Sequence, residues 1–190
     1  CPLCLLQRIG FSVVMFGFFG GISGVVLGAE QINLIMHNTI YVPGHFHATV
    51  VLGTTLAFMA VTYLVIPLIF RREIRFKTMA KWQPYVFSIG VAGISLFMMG
   101  AGTLGVSRRH WDMTFSDAAL SFDYPPAAFL MMGLNGIFAI LATIGGIMYV
   151  VVTVASVFGG KARDEAACKA NPCVLQDGGG PAVSSYGGEG

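Results

Sequence analysis

Two histidines stand a single residue apart in Pro43-Gly44-His45-Phe46-His47, at the head of a long apolar run, with His37 a little upstream. Imidazole ligates metals in its neutral form and is a common axial ligand of haem iron. On an α-helix, residues two apart are turned by about 200°, so His45 and His47 point to nearly opposite sides and cannot share one ion. A helix donating both histidines to one metal would space them i, i+4. The pair therefore suits two separate sites, such as two haems flanking one helix. The plainer alternative is that each ring makes a helix–helix hydrogen bond inside the membrane. Proline at 43 fits the first turn of a helix, so both rings are expected near one end of it.

A second chemistry is offered by Arg108-Arg109, an adjacent guanidinium pair suited to carboxylate or phosphate. The bland account is snorkelling to a headgroup, or pairing with Asp112 and Asp117. A third is thiol chemistry: Cys1 and Cys4 form a Cys-x-x-Cys, and Cys168 and Cys173 lie near the other terminus. A zinc site from the four is the weaker reading of them, and unpaired cysteines the simpler one.

The elements that must carry these groups are membrane helices. Of 190 residues, 55% are hydrophobic and 11% charged. Four stretches are long enough to cross a hydrocarbon core, which takes roughly 20 apolar residues: 9–28, 42–70, 85–105 and 126–158. None contains Asp, Glu, Lys or Arg. The runs are too long and too evenly apolar for barrel strands. The expected fold is an all-α membrane protein, a bundle of four transmembrane helices in residues 1–160, followed by a disordered tail over 161–190, made largely of Gly, Ala, Ser and charged residues. Glycines stripe three of the spans and fit close helix packing.

The net charge of +2 is less telling than its placement. Arg71, Arg72, Arg75, Lys77 and Lys81 face a single Glu73 between the second and third spans, and Lys161, Arg163 and Lys169 follow the fourth. By the positive-inside rule both segments, and the N-terminus with them, are expected on the cytoplasmic side. His45, His47 and the arginine pair then lie toward the outer face, where Arg108-Arg109 run against the rule. Trp82 and Tyr85, and Trp111 on the opposite face, suit headgroup-level anchoring. No cleavable signal peptide is expected at residues 1–8, and no nucleic-acid partner.

Gly20-Gly21-Ile22-Ser23-Gly24-Val25-Val26-Leu27, followed by His37-Asn38-Thr39-Ile40-Tyr41-Val42-Pro43-Gly44-His45-Phe46-His47, resembles helices nine and ten of subunit I of the haem-copper oxidases, most closely B-type members. Gly105-Val106-Ser107-Arg108-Arg109 is similar to that family's Gly-x-Pro-Arg-Arg loop, with Ser107 where Pro is usual, and Asp123-Tyr124-Pro125 to the entry into its last helix. The resemblance covers about residues 11–160. It implies that His45 ligates a high-spin, oxygen-reducing haem and His47 a low-spin haem, that Arg108 and Arg109 hold haem propionates, and that His37 lies near the propionates of the active-site haem. Many members have Asp after that histidine, beside a magnesium ion; Asn38 stands here, so a propionate hydrogen bond is the expected role of His37.

The resemblance further implies reduction of dioxygen to water coupled to proton translocation, a cytochrome c or quinol donor, and a prokaryotic plasma membrane. Copper would be bound through residues absent from this chain. The remaining helices of subunit I, other oxidase subunits and membrane lipid are the implied partners, and the chain alone is an incomplete part of an oxidoreductase. Nitric-oxide reductases share the His-x-His step. Separately, Cys1-Pro2-Leu3-Cys4-Leu5-Leu6-Gln7-Arg8 is similar to quinone-reducing membrane thiol oxidases of the disulfide bond formation family, although the charge pattern puts it on the reducing side. A cofactor-free interaction subunit is the third alternative.

Overall fold

The computed structural model describes residues 2–109 and 123–162, with side chains from Arg8 onward. Every extended element among them is helical: α1 (Pro2–Met15), α2 (Ile22–Gly28), α3 (Glu30–Met36), α4 (Tyr41–Phe46), α5 (Leu56–Ile69), α6 (Lys77–Thr103) and α7 (Pro126–Gly159). A π-helical stretch, Phe16–Gly21, joins α1 to α2, and a second, His47–Thr55, joins α4 to α5. Four continuous spans result, Arg8–Gly28, Tyr41–Ile69, Lys77–Thr103 and Pro126–Gly159, each apolar and long enough to cross a membrane. The protein is an all-α membrane protein. The expected tail falls almost wholly outside the described residues, as do His110, Trp111, Asp112, Asp117, Cys1, Cys168 and Cys173.

Two expectations need correction. The third span begins at Lys77 rather than 85, and Pro84 lies inside α6. A proline there removes the N–H that would bond the carbonyl four residues back, Ala80. That carbonyl instead accepts from the guanidinium of Arg8, which also lies 4.7 Å over the Tyr63 ring. In hydrocarbon a freed carbonyl must find another donor, and a basic side chain from a neighbouring span supplies one. The loop expected between the first two spans also holds a short helix, α3, whose Leu34 and Ile35 are exposed.

α6 and α7 make the most extensive contact in the bundle, and glycine explains how closely they approach. A Cβ on Gly145 would lie 2.6 Å from Phe87 Cα, and one on Gly90 2.6 Å from Ala142 Cα, so backbone meets backbone on both helices. The stripe is not uniform: Gly133, Gly136 and Gly146 have no such neighbour. Above and below this seam lie three apolar clusters. Leu52, Leu56, Met59, Phe87, Val91 and Ala142 fill the middle. Tyr63, Ile74, Ala80 and Val152 close the end bearing the basic stretch, and Ala101, Val106, Tyr124 and Ala128 close the histidine end.

Backbone bonds tie both ends. At the basic end Glu73 N–H donates to Lys161 O (2.9 Å) and Arg75 N–H to Ser156 Oγ (2.9 Å). At the other end Pro125 and Pro126 start α7, with Pro126 at its first position, where a missing N–H costs nothing. At 34 residues and 1.5 Å each, α7 is roughly 50 Å long, more than a hydrocarbon core. It must tilt or project beyond it.

Gly145→Ala drives a methyl into the Phe87 backbone and is expected to cost about 1–3 kcal/mol by overpacking. Gly136→Ala, with open space at that position, should be close to neutral. Thermal unfolding of the two variants in the same detergent measures the difference.

Candidate functional site

α4 opens with buried Tyr41 and brings His45 to its last turn; His47 begins the π-helical stretch. The rings part. His45 Nδ1 lies 2.8 Å from Ser23 Oγ on α2, and its Cε1 faces Gly24, where a Cβ would stand 3.2 Å away. His47 turns from α2 and lines two hollows, one of them walled by α6 and α7. Both rings are half-buried.

One hollow, of about 470 Å³, is bounded by His47, Pro43, Phe46, Val50, Arg108 and Arg109. The other, about 590 Å³, runs from His47 and Val51 along Phe87, Val91, Ala139 and Thr143. The structure thus brings His47, Arg108 and Arg109 together, and it sets His45 apart from them. His37, exposed at the end of α3, lines neither hollow.

What carries the arginines to His47 is a backbone clip between the two connections at this end. Thr39 and Ser107 form an antiparallel bridge: Ile40 N–H donates to Val106 O (2.8 Å) and Arg108 N–H to Asn38 O (2.9 Å). Asn38 then accepts from the Arg108 guanidinium through Oδ1, at 2.7 Å. Three residues of the clip have positive φ: Asn38 (63°), Gly105 (87°) and Arg109 (65°). Asparagine and glycine tolerate that region, but an arginine there carries strain of order 1 kcal/mol or more, of the kind found at ligand clamps.

The chemistry of the donor set fits an iron porphyrin bearing carboxylates. His47 Nδ1 lies 2.8 Å from the Pro43 carbonyl, which only accepts, so Nδ1 carries the proton and Nε2 keeps its lone pair for a metal. Arg108 Nε is buried with no partner among the described residues, an unspent donor beside the same hollow. No group of three or more His, Cys, Asp or Glu side chains converges among the described residues.

Sequence reasoning missed Ser23 and the Asn38 side chain as partners of His45 and Arg108. The only signal for Ser23 was a small hydroxyl between glycines in an otherwise apolar run. For Asn38 no local signal existed, since its partner is distant in sequence. Arg8, part of the thiol-oxidase-like motif, is engaged by Ala80 and Tyr63 in a packing role.

One membrane helix thus offers an imidazole to each of two separate sides, one of them flanked by paired guanidinium groups. The chain belongs to the family of subunit I of the haem-copper oxidases, for the family model described as cytochrome c and quinol oxidase polypeptide I matches residues 5–148. It is 30% identical to cytochrome c oxidase subunit 1 of Thermus thermophilus over 151 residues, 76% of this chain and 24% of that protein. A cytochrome c oxidase polypeptide 1 of Halobacterium salinarum is 34% identical over 56% of this chain and 17% of its own length. A probable quinol oxidase subunit 1 of Staphylococcus aureus is 30% identical over 73% of this chain and 20% of its own.

A chain from a cryo-EM structure of a heme-copper terminal oxidase dimer superposes with a TM-score of 0.74 at 31% identity, covering 85% of this chain and 28% of that one. The chain therefore spans about a quarter or less of the curated relatives it matches. These relatives lend support neither to the thiol oxidase nor to the cofactor-free bundle.

Asn38→Gly keeps the positive φ of the clip and removes the Arg108 acceptor, a solvent-accessible contact, so its cost should stay below ~1 kcal/mol. Asn38→Ala loses the acceptor and strains the backbone as well, adding about 1–2 kcal/mol. Thermal unfolding should rank them wild type, Gly, Ala.

Proposed function

We propose that this chain is the C-terminal part of the catalytic subunit of a haem-copper terminal oxidase, holding a low-spin haem through His47 and a high-spin haem through His45. The single observation that supports it most is that His47, Arg108 and Arg109 surround one hollow while His45 faces α2 on the other side. In this reading Arg108 and Arg109 neutralise the propionates of the low-spin haem, with charge-assisted bonds that strengthen away from water. His37 hydrogen-bonds a propionate of the other haem. Bound haem supplies the redox centres that carry electrons to dioxygen. The residues of this chain fix the rings in place, present an unprotonated Nε2, and hold the acidic edges.

The overall reaction would take four electrons and four protons to each dioxygen, giving two waters, with further protons translocated. Electrons come from cytochrome c or a quinol. The copper ligands belong to the remaining helices of subunit I, consistent with the fraction of its relatives that this chain spans. Those helices and other oxidase subunits are the partners, in a prokaryotic plasma membrane. The basic stretch Arg71–Lys81 favours the cytoplasmic side for both termini, which puts the histidine end outward.

Reduced-minus-oxidised optical spectra of the chain assembled with its neighbouring helices test the assignment. His47→Ala should abolish the low-spin band and leave the ligand-sensitive high-spin features; His45→Ala should do the reverse. Equal loss of both signals in each variant, or of neither, would sink the idea of two separate haem sides.

A further inference from the structure

We propose that Ser23 is a positioning residue for His45: its hydroxyl fixes which ring nitrogen carries the proton, and so leaves Nε2 as the ligating atom. The proposal rests on the haem reading of His45. Ser23 is buried, 4% exposed, and its Oγ has three polar neighbours: Phe19 O at 2.5 Å, Gly20 O at 3.1 Å and His45 Nδ1 at 2.8 Å. A hydroxyl has one proton to give and lone pairs to receive with. Both carbonyls only accept. If Ser23 donated to His45, its own lone pairs would face two carbonyl oxygens at those distances, an arrangement with no proton between any of the three oxygens. The consistent arrangement has Ser23 donating to a backbone carbonyl and accepting from His45 Nδ1–H.

The proton on Nδ1 leaves a bare lone pair on Nε2. The resulting chain, N–H to hydroxyl to carbonyl, is polarised in one direction, which raises the basicity of Nε2 as a ligand. Gly24, next in sequence, provides the space. A Cβ there would stand 3.2 Å from His45 Cε1 and 3.9 Å from Nε2, so the missing side chain lets the ring come close to α2. His47 has a different partner, the Pro43 carbonyl of its own helix. The two ligands of one segment are thus oriented independently, one by its own backbone and one by a side chain from another span.

The test uses the assembled oxidase containing this chain, reduced, and observed by resonance Raman for the iron–histidine stretch of the five-coordinate haem. Ser23→Ala should move that line to lower frequency and weaken retention of the high-spin haem by ~10-fold or more. The His47-dependent low-spin band should keep its wild-type amplitude. Ser23→Thr, which retains the hydroxyl, should restore the line. A wild-type line and wild-type haem retention in Ser23→Ala would overturn the proposal, as would an equal shift in Ser23→Thr. If Ser23→Ala loses the low-spin band too and so fails to assemble, Ser23→Cys takes its place, with the same two readouts deciding. Absence of any iron–histidine line in the unsubstituted protein would instead overturn the haem reading of His45.

Discussion

Each residue of an α-helix is turned about 100° from the last, so two side chains two positions apart cannot serve one centre. That constraint organises the histidine end of this protein. Once His45 is set against α2, His47 must face α6 and α7, and the two sides have to be built differently. On the His45 side the neighbours are small, Ser23 and Gly24, and the ring lies close against the helix. On the His47 side the neighbours stand back, and two hollows open. Large side chains such as Phe87 and Val91 enter there only as walls.

The membrane imposes a second constraint, that backbone polar groups be satisfied inside the protein. Departures from ideal α-helix here come with donors or acceptors beside them. Pro84 frees the Ala80 carbonyl, and Arg8 occupies it. In the second π-helical stretch the Gly53 carbonyl accepts from Ser12 Oγ at 2.5 Å, and the missing side chain of Gly53 admits Phe16. Gly20 in the first stretch likewise lies against Thr49 in the second, so the two irregular segments pack on one another. π-Helical segments recur at functional sites because the extra residue per turn re-aims the side chains beyond it, and the second one begins at His47.

Hydropathy and charge made the four spans and the histidine pair legible, since both are local properties of the sequence. The start of α6 was not legible. Lys77, Lys81 and Trp82 look like loop to an apolar window, which opens only at 85. What overrides this is a bond from Arg8, far away in the chain. The glycine stripe was legible as composition and ambiguous as function: Gly145 is indispensable to close approach, whereas Gly146 beside it lines a hollow. Which role a glycine plays depends on the opposing helix. The partnership of Arg108 with Asn38 was hidden for the same reason.

Asn38 and Ser107, the two positions where the resemblance to the oxidase motifs lapses, fall in one clip, and the bonding there explains why they are compatible. The bridge bonds are donated by Ile40 and Arg108, not by residue 107, so the clip uses no N–H that a proline at 107 would lack. Across from it stands Asn38 in place of an acid. An aspartate accepting from the Arg108 guanidinium would hold its position but also offset its charge. A neutral amide oxygen at 2.7 Å holds the guanidinium without offsetting its charge, and leaves Nε, which has no partner among the described residues, for an anion in the hollow beside His47. Asparagine also tolerates the positive φ that the turn requires. In the proposed oxidase the substitution would shift the balance at this position from a cation site toward tighter holding of a propionate, without altering the path of the backbone.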